Sequence, residues 1–337
     1  MTDTARSTQR LDICAIGNAI VDVIAPADDA FIAENGLNKG SMQLLFTTEE
    51  AESLYGRMGP GTEMSGGSAA NTLAAMARLG AGAGFIGQVA DDLLGRVFHH
   101  DLNASGVRFD TPVRAGEPTT ARCLIVVTPD GERTMNTFLG ASQFLPADAL
   151  DLDMIRAADV LYLEGYLWDP EEPRAAMAKA IAVARAAGNR VAFTLSDTFC
   201  VDRHRGDFNR LLAEGQLDIL FANADELTAL KQTNDLEDAV ARTAAEVPLL
   251  VVTRGAEGAL AITGGERHEV AAEPVDQVVD TTGAGDLFAA GFLAGQAQGR
   301  SVPDCLTMGA VCAAEIITHI GARPQADLRV SVAKRLG

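Results

Sequence analysis

The chain lacks paired cysteines. Its five, Cys14, Cys123, Cys200, Cys305 and Cys312, are an odd set without a CxxC pair or zinc-ligand spacing, and the five histidines do not cluster with them. That pattern excludes a disulfide framework and a zinc site, and it fits reduced, buried thiols in a cytoplasmic protein. Long apolar runs are missing as well: the Ala-rich stretches are broken by Arg, Lys or Gly, so no segment reads as bilayer-spanning. The N-terminal MTDTARSTQR is polar and has no signal-peptide core. Positive charge is scarce. Lys and Arg total 27 against 46 Asp and Glu, giving a net charge of −19 and a pI near 4.6, which argues against binding nucleic acid or an anionic membrane. Any anionic ligand must therefore be met locally by Arg, backbone N–H groups and a metal ion. There is no GxxxxGK[ST] and no GxGxxG after the first strand, which argues against a P-loop NTPase or a dinucleotide fold. Internal repeats and low-complexity linkers are absent too.

What remains reads as α/β. A composition 47% hydrophobic and 22% charged over 337 residues supplies a large core, for one large domain or two ordinary ones. Leu11–Ile16 is a short apolar run ending at Gly17, a buried first strand. From residue 160 onward, strand-like runs at 160–163, 191–195, 217–222 and 249–253 alternate with helical segments such as 174–187. Continuous apolar strands of this kind suit a parallel sheet covered on both faces. Residues 259–263 and 267–272, joined through Gly264-Gly265, read as a hairpin, and 287–297 and 307–319 as long Ala-rich helices. Two regions interrupt the rhythm. Residues 23–50 include a turn and a short strand at 42–46. Residues 107–139 alternate at Val107, Phe109, Thr111 and Val113, then place Pro-Asp-Gly between two β-rich runs, a hairpin signal. We expect 23–50 and 107–139 to form a small inserted sheet serving as a lid.

The segment around which the chain is organised is 278–295, VVDTTGAGDLFAAGFLAG. It reads as strand, tight glycine loop and helix start. Such a loop aims free backbone N–H groups at one point, at the positive end of the helix dipole, where an anion belongs. Asp286 follows Gly283, Ala284 and Gly285 directly. An Asp in a first helical turn can simply complement the dipole; beside an anion hole it is placed to take a proton from an attacking hydroxyl. Together the hole and the base are the equipment of phosphoryl transfer.

Other stretches carry two readings each. Asn18 and Asp22 lie four residues apart after the first strand, where open α/β sheets place ligands; alternatively they are a turn Asn and a solvated Asp. Gly66-Gly67 opens a helix containing Asn71, giving either close helix–sheet packing or a ligand approach to the backbone. Asn223 and Glu226 form a capping-box pattern, or they order water around magnesium. Thr253-Arg254-Gly255 through Gly258 is either a plain turn or a phosphate-facing loop. Trp168 and Tyr166 are either core or stacking residues, His319 a helix-end charge, and His99-His100 surface.

DTTGAGDLFAAGF, GGSAANTLAAMARLG and NADE, in this order and spacing, resemble the ribokinase (PfkB) family of carbohydrate kinases across nearly the whole chain. The resemblance implies one ribokinase-like α/β domain over 1–337: a doubly wound, mostly parallel sheet with helices on both faces and a small β-sheet lid. It implies MgATP-dependent phosphorylation of a hydroxymethyl group, with Asp286 as base and Gly283, Ala284 and Gly285 as the anion hole. Gly66, Gly67, Asn71 and Asp22 would meet substrate hydroxyls. Asn223 and Glu226 would serve the magnesium–phosphate region, with Glu226 acting through water, and Thr253, Arg254, Gly255 and Gly258 the ATP. Asp280 and Thr282 match positions where some members hold a monovalent cation such as K⁺. The N-terminal third, GNAIVDVIAPADDAFIAENGLNKGSMQLL, and Gly131-Glu132-Arg133-Thr134 are most similar to the adenosine kinase subgroup. In that subgroup reading Asn18 and Asp22 hold a ribose diol, while Ile20, Gln43, Met135, Phe138 and Tyr166 approach a base. The expected partners are therefore ATP and a nucleoside or sugar, in a monomer or homodimer. The alternatives are a ribose, fructose or ketose kinase, and a binding protein that kept the fold without catalysis.

Overall fold

The structure, a computed structural model, describes residues 10–337; the polar stretch 1–9 lies outside them. Fourteen strands follow in chain order. The first six are β1 Leu11–Ile16, β2 Ile20–Pro26, β3 Met42–Leu45, β4 Thr62–Gly66, β5 Ala83–Ile86 and β6 Val107–Phe109. Then come β7 Ala121–Val127, β8 Arg133–Phe138, β9 Ala158–Glu164 and β10 Arg190–Thr194. The last are β11 Ile219–Asn223, β12 Leu249–Thr253, β13 Ala259–Thr263 and β14 Glu266–Val270.

Nine of them form the main sheet in the order β14-β13-β12-β11-β10-β9-β1-β5-β6, parallel from β12 to β6 and closed at one edge by the antiparallel β13–β14 hairpin. From β1 the chain winds outward to β5 and β6, then returns and winds the other way from β9. The switch point lies between β1 and β9, where doubly wound sheets open a crevice. The apolar strands are buried on both faces. One core, with Phe85, Phe98, Phe109 and Phe292, is covered by helices Ser68–Arg78, Leu93–Ala104, Ala284–Ala297 and Val302–Ile316. The other, with Trp168, Phe193 and Phe208, lies under helices Glu171–Ala186, Thr198–Ala213, Ala224–Lys231 and Leu236–Ala244. No helix among the described residues is long and apolar enough to cross a membrane.

The remaining five strands form a second sheet, β3-β8-β7-β2-β4. Its boundaries differ from those expected. The insert starts at Ile20 and runs on to β4, past residue 50. The alternation at Val107 and Phe109 belongs instead to the main sheet, where β6 pairs in parallel with β5 and both side chains are buried, Phe109 against Phe85 and Phe98. The hairpin β7–β8 is present, antiparallel, with Gly131 at φ +87° in its turn. Residues 278–280 are not a strand either. Val278 and Val279 are exposed, and the Val279 N–H finds the Ile317 carbonyl at 2.8 Å rather than a sheet partner.

The helix that carries the glycine motif packs tightly on its neighbour. A Cβ at Gly291 would run into the Met308 carbonyl, and one at Gly295 would press on Cys305. Glycine in mid-helix loses on propensity but permits this approach. Gly291→Leu is therefore expected to lower unfolding free energy by ~1–3 kcal/mol through overpacking. Urea denaturation checks it, and an unchanged midpoint would contradict the tight crossing.

Candidate active site

One cavity of about 1180 Å³ opens between the carboxyl edge of the main sheet and the small sheet. Strand ends feed it in turn: Asn18 after β1, Tyr166 after β9, Ser196 and Asp197 after β10, Asn223 and Glu226 after β11, Thr253 to Gly255 after β12. The small sheet supplies the facing wall with Ile20, Asp22, Met42, Leu44, Cys123, Ile125 and Met135. Residues far apart in sequence therefore meet there.

The glycine loop sits at its floor. Gly283, at φ +79°, begins helix Ala284–Ala297, and no side chain caps its first turn. The Ala284 N–H donates to the Thr281 carbonyl at 3.2 Å, so of the three loop amides only that one is already engaged. A methyl on Gly285 would meet no protein atom within 4 Å; it would stand in the cavity. Asp286 Oδ1 accepts the Ser68 hydroxyl at 2.6 Å and Oδ2 the Asn71 Nδ2 at 3.1 Å. Each oxygen keeps a further lone pair for a substrate hydroxyl. Burial pushes the Asp286 carboxyl above the usual range, opposed by Ser68, Asn71 and the Arg323 guanidinium. Sequence reasoning passed over Ser68, although it is the first residue of the Gly66-Gly67 helix and faces the loop.

The polar end of the cavity is held by a buried carboxylate that the motifs do not reveal. Glu164, fully buried at the end of β9, accepts from the Asn18 N–H and Nδ2 at 2.7 Å and from the Ala69 N–H at 2.8 Å. Three N–H donors fit an ionised carboxylate, although burial pushes its pKa up to about 7. Its signal in the sequence was a lone acid closing an apolar strand. Ser142 donates to Asn18 Oδ1 at 2.8 Å, so Asn18 lines the cavity with both ends of its amide already engaged. Asp22 faces the cavity, pushed up to about 6 by burial against the pull of Arg323 and Arg133. Gly67, at φ +95°, lines the cavity, and a Cβ there would overlap the Asn18 carbonyl.

Several expected site residues lie outside the lining. Side chains alternate across a strand, and β3 pairs with β8 so that Met42 and Leu44 sit with Met135 and Thr137 on the cavity face. Gln43 and Phe138 consequently point to the other face. Gln43 Nε2 donates to Asn136 Oδ1 at 2.7 Å, and Phe138 is buried near the Arg122 guanidinium. Gly66 makes room for the Asp22 carboxylate rather than for a ligand. Gly258, at φ +86°, is required by the Val270 backbone that crosses it, whereas Thr253, Arg254 and Gly255 do face the cavity. Asp280 is buried in an ion pair with Arg133 from β8, and it also accepts the Thr282 and Gly321 N–H groups at 3.0 and 3.1 Å. The Asp280 carboxylate is thus engaged by a guanidinium and two backbone N–H groups. Trp168 is core: it packs edge-on against Phe193 and Phe208, and its Nε1 donates to Asp207 at 3.0 Å. Tyr166 and the exposed Phe199 line the cavity.

Asn223 and Glu226 form the full capping box. Glu226 Oε2 accepts the Asn223 N–H at 2.9 Å, and Asn223 Oδ1 accepts the Glu226 N–H at 2.8 Å. Both also border the cavity, so the two readings coexist. Burial holds Glu226 up to about 7. No three acidic, His or Cys side chains among the described residues gather to hold a metal. A magnesium ion carried by nucleotide phosphates and its own waters needs no such cage, and Glu226 with Asp225 and Asp197 at the rim suits that outer role.

Comparison with known proteins agrees with this geometry. The profile described as pfkB family carbohydrate kinase matches residues 11–328. An adenosine kinase from Sinorhizobium meliloti is 47% identical and superposes with a TM-score of 0.88, covering 96% of this chain and 99% of that one. A probable sugar kinase protein from Rhizobium etli is 46% identical, also at 0.88, covering 97% and 98%. A fructokinase from Klebsiella pneumoniae is 32% identical over 247 residues, 72% of this chain and 79% of its own. An uncapped glycine loop with an aspartate beside it, on a doubly wound sheet bearing a second small sheet, and a family match over nearly the whole length lead to one identification: the chain belongs to the pfkB family of carbohydrate kinases and is a phosphotransferase acting on a hydroxyl group.

Proposed function

We propose that the protein transfers the γ-phosphoryl group of MgATP to the primary hydroxyl of a nucleoside, foremost the 5′-hydroxyl of adenosine. The observation that carries this reading is the chemistry of the cavity lining. Within it Asp22, Asn71 and Asp286 offer polar groups suited to a sugar. The lining also holds Met42, Leu44, Ile125 and Met135 from the small sheet, together with Tyr166 and Phe199. A flat, largely apolar base covers such a wall and gains from leaving water, whereas a free sugar leaves it bare. The likeness to the Sinorhizobium meliloti enzyme supports the same reading.

In the reaction, Asp286 takes the proton of the hydroxyl as its oxygen attacks phosphorus in line. The bond to the β–γ bridging oxygen breaks, and ADP departs. Glycine-loop amides stabilise the charge on the transferring group, and the protein contributes mainly position and electrostatics. Magnesium, when bound with the nucleotide, neutralises phosphate charge; Glu226 and Asn223 are placed to order its water. Arg254 borders the nucleotide half. A panel of nucleosides and free sugars, read as ADP formed, tests the assignment. Adenosine is expected to exceed ribose and fructose in kcat/KM by at least about tenfold, a difference of ~1.4 kcal/mol in transition-state binding. A preference for fructose, as in the name of the Klebsiella pneumoniae relative, would replace the nucleoside with a ketose.

A further inference from the structure

We propose that Arg323 is a positioning residue for Asp286, fixing which end of Asn71 faces the base and holding a positive charge beside it. This rests on Asp286 being the base. Arg323 follows helix Val302–Ile316, in a loop that no motif marks. Its Nη1 donates to Asn71 Oδ1 at 2.8 Å and to the Ala70 carbonyl at 3.3 Å, and its Nη2 donates to the Ser65 carbonyl and hydroxyl, each at 2.7 Å.

A guanidinium only donates. The end of Asn71 that meets it must therefore be the carbonyl oxygen, and Nδ2 is thereby turned to Asp286 Oδ2 at 3.1 Å. Without Arg323 the amide is free to flip, which would set its oxygen against the carboxylate. The fork is itself anchored: the Ser65 hydroxyl and N–H both donate to Asp101 Oδ2, at 2.5 and 2.8 Å. A hydrogen-bonded chain thus runs from helix Leu93–Ala104 through β4 and the C-terminal loop to the base.

The charge matters as much as the fork. The Asp286 charge is felt by two carboxylates, Asp22 on β2 and Glu164 on β9, and by the phenols of Tyr162 and Tyr166. Arg133 is committed to Asp280. Arg323 is the cation whose field opposes protonation of Asp286, and its Nε is buried without a partner, so its burial is not repaid by complete hydrogen bonding. A residue tolerated at that cost beside the carboxylates of Asp22 and Asp286 fits an electrostatic task.

The test is the pH dependence of kcat/KM in Arg323→Met and Arg323→Lys, with Asp286→Asn as control and all rates referred to folded protein by circular dichroism. Removing the cation raises the pKa of the base, and a protonated base is silent, so the acidic limb must move to higher pH. For Arg323→Met we expect a shift of about one unit, read as roughly tenfold lower kcat/KM at the acidic end of the profile. Arg323→Lys keeps the charge but cannot fork, so its limb stays in place while kcat falls about tenfold at unchanged KM for ATP. If the Met variant fails to fold, Arg323→Gln takes its place in the same pH test. An unshifted limb in the uncharged variant, or wild-type kcat in the Lys variant, overturns the proposal. Should Asp286→Asn turn over normally, the base assignment itself falls; an inactive Asp286→Asn with unshifted Arg323 variants removes Arg323 alone.

Discussion

Asp286→Asn is expected to lose ~10²–10⁴-fold in kcat, the usual cost of removing a general base, while folding normally and keeping its affinity for ATP. The substitution preserves shape, and Ser68 can still donate to the remaining oxygen. Asn71 Nδ2 then faces an amide NH2 instead of a carboxylate oxygen, donor against donor, so that hydrogen bond is lost. Against that, a carboxylate that burial disfavours is no longer ionised in the site. These effects oppose each other in stability, whereas only the catalytic loss concerns the proton. A kcat near wild type, measured at saturating substrate, would mean that the proton leaves by another route.

Gly285→Ala separates the anion hole from the fold in the same way. The added methyl meets no protein atom within 4 Å and occupies the first turn of a helix. Alanine is favoured over glycine in a helix by up to about 1 kcal/mol, so thermal stability should hold or rise slightly. In the cavity the methyl stands where a phosphate must approach the loop amides. Displacing one such donor contact costs ~10²–10³-fold in turnover. The expected result is a variant at least as stable as the parent and poorly active with ATP. Isothermal calorimetry with ATP and kinetics on the same preparation check both halves. Full activity would show that the phosphate lies elsewhere.

Much of this site was legible in the chain because its chemistry is local. Gly283, Ala284, Gly285 and Asp286 are consecutive, and a loop leading into a helix N-terminus keeps its meaning in any compact fold. Asn223 and Glu226 are three apart, and their capping box forms as the spacing requires. What sequence could not supply was which face of a strand turns inward. Gln43 and Phe138 were expected near the ligand; one residue of register separates them from Met42 and Thr137, which are there. Nor does alternation name its sheet. Val107 and Phe109 read as β, and β they are, but beside β5. The β-branched Val278 and Val279 suggested a strand, yet the Val279 N–H goes to the Ile317 carbonyl at a helix end rather than to a strand. Glu164 and Arg323 stayed silent for a different reason. Each acts through partners more than 90 residues away, Asn18 and Ala69 for one, Asn71 and Ser65 for the other. Such pairs exist only once the sheet is wound.

The central claim is that phosphoryl transfer at Asp286 is directed to a nucleoside hydroxyl. It is tested most directly by ³¹P NMR on purified protein given MgATP with equal adenosine and fructose in one tube. The account predicts that ADP and AMP signals grow together in equal amounts, with no sugar phosphate. Fructose phosphate as the main product, or ADP accompanied only by inorganic phosphate, would contradict it.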